Sequence, residues 1–287
     1  MAGDDELMPV AIVGMSCRLP GDISTTNDFW KLMTKGRSTW SPIPKDRFNP
    51  DAYHHPNPEK KGTLNSQGGY FLSQDLRDFD AGFFDMTKKE AETMGMRLLY
   101  LPVPLLQLTA WPDPIQRVLL ECSYEALENA GIPKEDVAGK KVGVFIGLPD
   151  MEHRMGNLRD LEDVPMFDPT GAQGAFLAGR IAYYFDLHGP TLAVDTACSS
   201  SMQALHLAVQ SIRSGESEQA IVGASHIITQ PDVWVSMAKL RWDVCTGWAG
   251  LVTDFLTGCF PSRVKLTLSI TGPSRAMLGA KELDVLS

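Results

Sequence analysis

The 287-residue chain lacks a C-x-x-C pair, and its five cysteines (Cys17, Cys122, Cys198, Cys245 and Cys259) are odd in number and widely spaced. That argues against a structural zinc site and against a dithiol redox motif. The chain does not open on a basic segment followed by a long apolar core. Its start, "MAGDDELMPVAIVGMSCRLPG", is acidic, so a secretory signal is not expected. Long hydrophobic runs are missing too. The longest, "LLYLPVPLLQL", is about half a membrane span and contains prolines. Positive charge is in deficit, with a formal net charge of −9. That balance argues against general nucleic-acid binding, which wants a basic footprint, although an acidic partner remains reachable through a local basic patch. No internal repeat is visible. These absences lead to the expectation of a cytoplasmic protein with reduced thiols, no nucleic acid and no membrane.

What is present is apolar content of 44%, enough to bury a substantial core. "PVAIVGMSCRLPG" reads as a buried strand followed by a loop, and "TTNDFWKLMTKG" as a short helix capped by Thr26 or Asn27 and stopped at Gly36. The following stretch, rich in Pro, Asn and Gly, is too aromatic for simple disorder and reads as an ordered loop with aromatic anchors. "TKKEAETM" and "DPIQRVLLECSYEALENAGIP" read as helices, the second ended by Gly131, Ile132 and Pro133. "KKVGVFIGLP", "TLAVDTA" and "QAIVGASHII" read as strands. "GAFLAGRIAYYFDLHG" reads as a helix running out to Gly189 and Pro190. "SSSMQALHLAVQSIRSGE" is a helix with Met202, Leu205, Leu207, Ala208 and Ile212 as its apolar positions. Strands alternating with helices imply an α/β fold around a buried sheet.

Cys198 falls between a strand ending near Asp195 and a helix starting near Ser199. A thiol there sits at a helix N-terminus, where unpaired N–H groups and the positive end of the dipole favour negative charge on sulfur. The same groups can stabilise an oxyanion after attack on a thioester carbonyl. Small neighbours, Ala197, Ser199, Ser200 and Ser201, leave room for a substrate. The chemistry indicated is acyl transfer through a covalent thioester. The alternative for a lone cysteine is a small buried hydrophobe at a tight turn.

"VDTACSSSMQALHLA" resembles the active-site motif of the β-ketoacyl synthases, the condensing enzymes of fatty-acid and polyketide assembly. "VAIVGMSCRLPG", "FWKLMTKGRSTWSPIPKDRF", "GGYFLSQDLRDFDAGFFDMTKKEAETM", "DPIQRVLLECSYEALENAGIP" and "YFDLHGPTLAVDTACSSS" follow the order of the ketosynthase domain that opens a fungal iterative type I polyketide synthase. The resemblance covers 9–241, after a short tail at 1–8. It implies the N-terminal half of a thiolase-like α/β fold, a mixed sheet with helices, with the second half missing. It implies an acyltransferase in which Cys198 is the catalytic residue that accepts an acyl chain for decarboxylative condensation with a malonyl thioester. No cofactor would be bound directly; acyl and malonyl substrates would arrive on the phosphopantetheine of an acyl carrier protein. The N–H of Cys198 would form one side of an oxyanion hole, with Asp195, Thr196 and Ala197 shaping the turn. A homodimer, with the strand before the cysteine near the interface, is also implied.

The resemblance breaks twice. Residues 95–112 interpose "GMRLLYLPVPLLQLTAWP", apolar and helix-breaking, between two segments the family joins directly. A short intron retained in frame is the favoured origin, a genuine surface insertion the other. Residues 242–287 match nothing in the family. A frameshift, intron read-through or truncated gene would produce such a tail, although "VKLTLSI" alternates as a strand does. The family's two catalytic histidines belong to its second half. His54, His55, His153, His188, His206 and His226 occupy neither motif, which leaves turnover in doubt. Two other functions stay open, a non-catalytic remnant or interaction module of a polyketide synthase and a cysteine hydrolase.

Overall fold

The structure is a computed structural model, and it describes residues 8–57, 59–76, 78–86, 113–148, 152–162, 168–239 and 265–271. Among them, five strands form one mixed sheet in the order β1-β7-β6-β4-β5. Three of these, β4 (Val142–Gly147), β5 (Thr191–Val194) and β6 (Gln219–Ala224), run parallel, with β4 between the other two. β7 (Lys265–Thr271) lies antiparallel between β6 and β1 (Ala11–Arg18). A small ladder, β2 (Ser41–Pro42) with β3 (Gly68–Gly69), stands apart.

Every residue of β4 and β6 is buried, as their unbroken apolar runs require of central parallel strands. Alternation decides which face each side chain serves. Val144, Ile146 and Ile221 join the larger core, with Leu119 and Leu120 of α2 (Pro114–Asn129) and Ile181 and Phe185 of α6 (Ala175–Phe185). Phe145, Ala220 and Val222 face the other way and pack on Ala204, Ala208 and Ile212 of α7 (Ser200–Arg213). Helices therefore cover both faces, the layering expected of alternating strands and helices.

Several local expectations hold in detail. Asp113 caps α2, accepting the Ile115 N–H at 2.8 Å, with Pro114 in the first turn. Gly131 ends it with φ 68, while the Ile132 N–H returns to the Leu127 carbonyl. The loop before β3 is anchored by aromatics as its composition suggested: Phe48 meets Tyr53 and Trp234 edge-on, within one small core that includes Phe71. α1 (Thr26–Thr34) is capped one residue earlier than expected, by Thr25, which accepts the Asp28 N–H.

Two expectations are corrected. α6 stops at Phe185 rather than near Gly189, because Asp186 takes a left-handed conformation with φ 52 and its N–H caps Tyr183. Met202 is exposed, since the buried stripe of α7 runs through Ala204, Ala208 and Ile212 and leaves position 202 on the outer face. "TKKEAETM", the segment 95–112 and most of the tail 242–287 lie outside the described residues. Within the tail, Lys265–Thr271 is the alternating stretch, and it forms β7. No described helix is long and apolar enough to cross a membrane.

Candidate active site at the α7 elbow

The parallel strands β6, β4 and β5 end side by side, Gly147 pairing with both Val194 and Ala224. Beyond Val194 the chain makes a tight elbow before α7 begins. Asp195 Oδ1 accepts the Ala197 N–H at 2.9 Å, and Ala197 adopts φ 56, a left-handed conformation unusual for a residue with a Cβ. Ser200 Oγ fastens the turn from beneath. It accepts the Thr196 N–H at 2.9 Å and donates to the Ala197 carbonyl at 2.6 Å. The Ser199 hydroxyl donates to the Thr196 carbonyl at 2.8 Å.

Cys198 is a free, exposed thiol at the crest of this elbow, whereas Cys17 and Cys122 are buried. Burial pushes the Cys17 thiol above its ordinary value. Asp195 and Thr196 thus engage in turn-shaping bonds, as the family resemblance implied. Ser200 does not leave room for a substrate: it is buried and structural. Gly147 sits directly under it. A Cβ at position 147 would lie 2.6 Å from the Ser200 carbonyl carbon and 2.7 Å from the Ser201 nitrogen, so only glycine allows α7 to start this close to β4.

Among the described residues no imidazole hydrogen-bonds to Cys198 Sγ. His188 Nε2 lies 3.0 Å from Asp186 Oδ1, and His226 Nε2 lies 3.1 Å from Glu152 Oε1. His54 contacts Gln67, and His55 Nδ1 accepts the Asn57 N–H. His206 is exposed on α7. "QAIVGASHII" was expected to be strand throughout, but β6 ends at Ala224, and His226 lies just past it, where it pairs with Glu152. The two residues are far apart in the chain, and no motif marks them. Among the described residues no group of three or more His, Cys, Asp or Glu is placed to hold a metal ion.

The family described as beta-ketoacyl synthase, N-terminal domain, matches residues 8–103 and 110–249. The match thus runs into the segment 95–112, leaves out 104–109 and continues past Arg241. Highly-reducing polyketide synthase 1 of Aureobasidium melanogenum is 47% identical over 235 residues, 82% of this chain and 10% of that protein. The squalestatin tetraketide synthase of Cochliobolus lunatus is 38% identical over 272 residues, 95% of this chain and 10% of that one. The chain therefore spans about a tenth of the length of these curated relatives. Among solved structures, the oxazolomycin ketosynthase domain of Streptomyces albus JA3453 superposes with TM-score 0.75 at 27% identity, covering 94% of this chain and 43% of that one. The ketosynthase from module 6 of the bacillaene synthase of Bacillus subtilis 168 gives 0.71 at 27% identity, covering 93% and 41%. With the thiolase-like fold of ketosynthase domains around the elbow, and with this match along most of its length, the chain belongs to the β-ketoacyl synthase family, of which it carries the N-terminal domain.

Proposed function

We propose that this chain supplies the acyl-accepting nucleophile of a polyketide-forming ketosynthase. Cys198 Sγ attacks the thioester carbonyl of an acyl group borne on the phosphopantetheine of an acyl carrier protein. The new S–C bond forms, the pantetheine S–C bond breaks, and the proton lost by Cys198 passes to the departing thiolate. The head of α7 faces the developing oxyanion, with the Cys198 N–H as one donor. The acyl–cysteine is then the electrophile for the carbanion released when a malonyl thioester loses carbon dioxide. The edge of β5, last in the sheet order among the described residues, offers a second copy of the chain a strand to pair with in a homodimer.

The observation that carries this reading is an exposed free thiol on a left-handed turn at the mouth of the parallel strands. Incubating the 287-residue chain with an acyl thioester and locating the adduct by mass spectrometry tests it. One acyl group on Cys198, and background labelling in Cys198→Ala, is the expected result. An adduct that survives in the variant, or none in the wild type, overturns it and favours an interaction module.

A narrower reading, acyl acceptance without condensation, is favoured by where the imidazoles lie. His188 and His226 are engaged elsewhere, and His206 is exposed on α7. Adding a malonyl thioester to the acylated chain separates the two. A condensed β-ketoacyl product supports full turnover, an unchanged adduct supports the narrower reading, and released free acid indicates a cysteine hydrolase.

A further inference from the structure

A second polar feature lies at the edge of the sheet where the parallel strands end. Glu152 opens α4 (Glu152–Asn157), and His226 lies just past β6. Their side chains are 2% and 8% exposed, and they meet at 3.1 Å. The other carboxylate oxygen, Oε2, accepts the Thr229 N–H at 2.8 Å and the Gln230 N–H at 3.2 Å, just ahead of α8 (Pro231–Lys239). One buried carboxylate therefore grips the whole connection between β6 and α8. Arg159 pairs with Asp232 and adds an outer tie between the same two segments.

This connection reaches the elbow through the backbone. The Ser225 N–H, next to His226, points at the Gly147 carbonyl at 3.4 Å. Gly147 packs against the first turn of α7 at Ser200 and Ser201. Ser200 in turn holds Thr196 and Ala197, the two residues that lead into Cys198. A buried carboxylate is stable only when its oxygens are fully engaged, so losing either partner would move the connection rather than leave it in place.

We propose that Glu152 and His226 are positioning residues for Cys198, setting the elbow through Ser225, Gly147 and Ser200. The inference rests on the reading of Cys198 as an acyl acceptor. A small tilt of the elbow misaligns sulfur and oxyanion donors together, which slows attack on a thioester far more than simple alkylation.

The test uses the full chain and two probes of Cys198, the butyryl thioester of N-acetylcysteamine and iodoacetamide, with deuterium exchange read over residues 194–201. Glu152→Ala should slow acylation about 10- to 100-fold, leave alkylation near the wild-type rate and raise exchange at the elbow. Glu152→Gln, which can still accept from Thr229 and Gln230, should restore most of the acylation. If Glu152→Ala does not fold, His226→Phe and His226→Asn take its place, the first slowing acylation and the second restoring it. Wild-type acylation in Glu152→Ala or His226→Phe overturns the proposal. So does a loss of melting temperature with the acylation-to-alkylation ratio unchanged. A wild-type chain that takes no acyl group sinks the acyl-acceptor reading instead. Exchange then decides for the pair: raised exchange at 194–201 in the variants supports it, and unchanged exchange overturns it.

Discussion

The turn that presents Cys198 is shaped by residues packed around it. Gly147 permits the head of α7 to approach β4, and Ala197 accepts a backbone conformation that costs about 1–2 kcal/mol in an L-residue. Gly147→Ala should therefore destabilise the chain by about 1–3 kcal/mol through overpacking, read as a lower denaturant midpoint. A midpoint equal to wild type would show that α7 starts farther from β4 than described. Selectivity among thiols follows from burial. Iodoacetamide should modify Cys198 well before Cys17 or Cys122, because Cys17 is both shielded and held in its protonated form by burial. Peptide mapping after brief labelling checks the order, and early modification of Cys17 would contradict it. The place of the cysteine, between a strand and an amphipathic helix, was legible in the sequence; the left-handed Ala197 was not. The role of Ser200 was not, because a serine beside a nucleophile reads equally as a gap for substrate or as a fastener. Nor was the Glu152–His226 pair, whose members come together only once β4 and β6 are paired.

Helices and strands follow their local signals except where tertiary context intervenes. α2 is marked by Asp-Pro at its start and Gly at its end, and both caps are realised. Asp113→Ala should cost about 1 kcal/mol for the lost cap, with thermal unfolding as the measure; an unchanged melting temperature would mean that Asp113 does not cap the helix. The same helix buries Arg117, whose guanidinium is brought down to about 10 by desolvation despite Asp113, Glu121 and Asp75 nearby. Folding thus penalises the charged form of Arg117. Because its folded value lies below its unfolded one, this penalty is present at neutral pH and is relieved only as pH rises above about 10. Where local signals fail, packing is the reason. Met202 is apolar by type yet lies outside the stripe that α7 buries, and Asp186 ends α6 early by taking a conformation that glycine would normally supply.

At the scale of the molecule, the alternation of strands and helices disclosed the fold class but not the strand order. The position of β7 could not be read locally. A stretch that carries no motif of the family is inserted between β1 and β6, where Leu268 pairs with both Met15 and Val222. Leu268→Pro should remove a ladder bond from an interior strand and abolish cooperative unfolding followed by circular dichroism. A variant that unfolds like wild type would show that 265–271 lies outside the sheet. Residues 95–112 pose a question for the transcript rather than the fold. Sequencing of mature message should show those codons removed if they are a retained intron, and their presence would establish an insertion.

The placement of β7 also sets a timetable for synthesis. β1 is complete at Arg18, but the strand separating it from β6 ends only at Thr271. At ribosomal speeds of roughly 5–20 residues per second, roughly 13–50 s pass between the two. Over about the last 2–9 s of that interval, once β6 is complete at Ala224, the nascent chain carries two open strand edges awaiting one partner, and it is then that chaperones, or a wrong neighbour, have their opportunity.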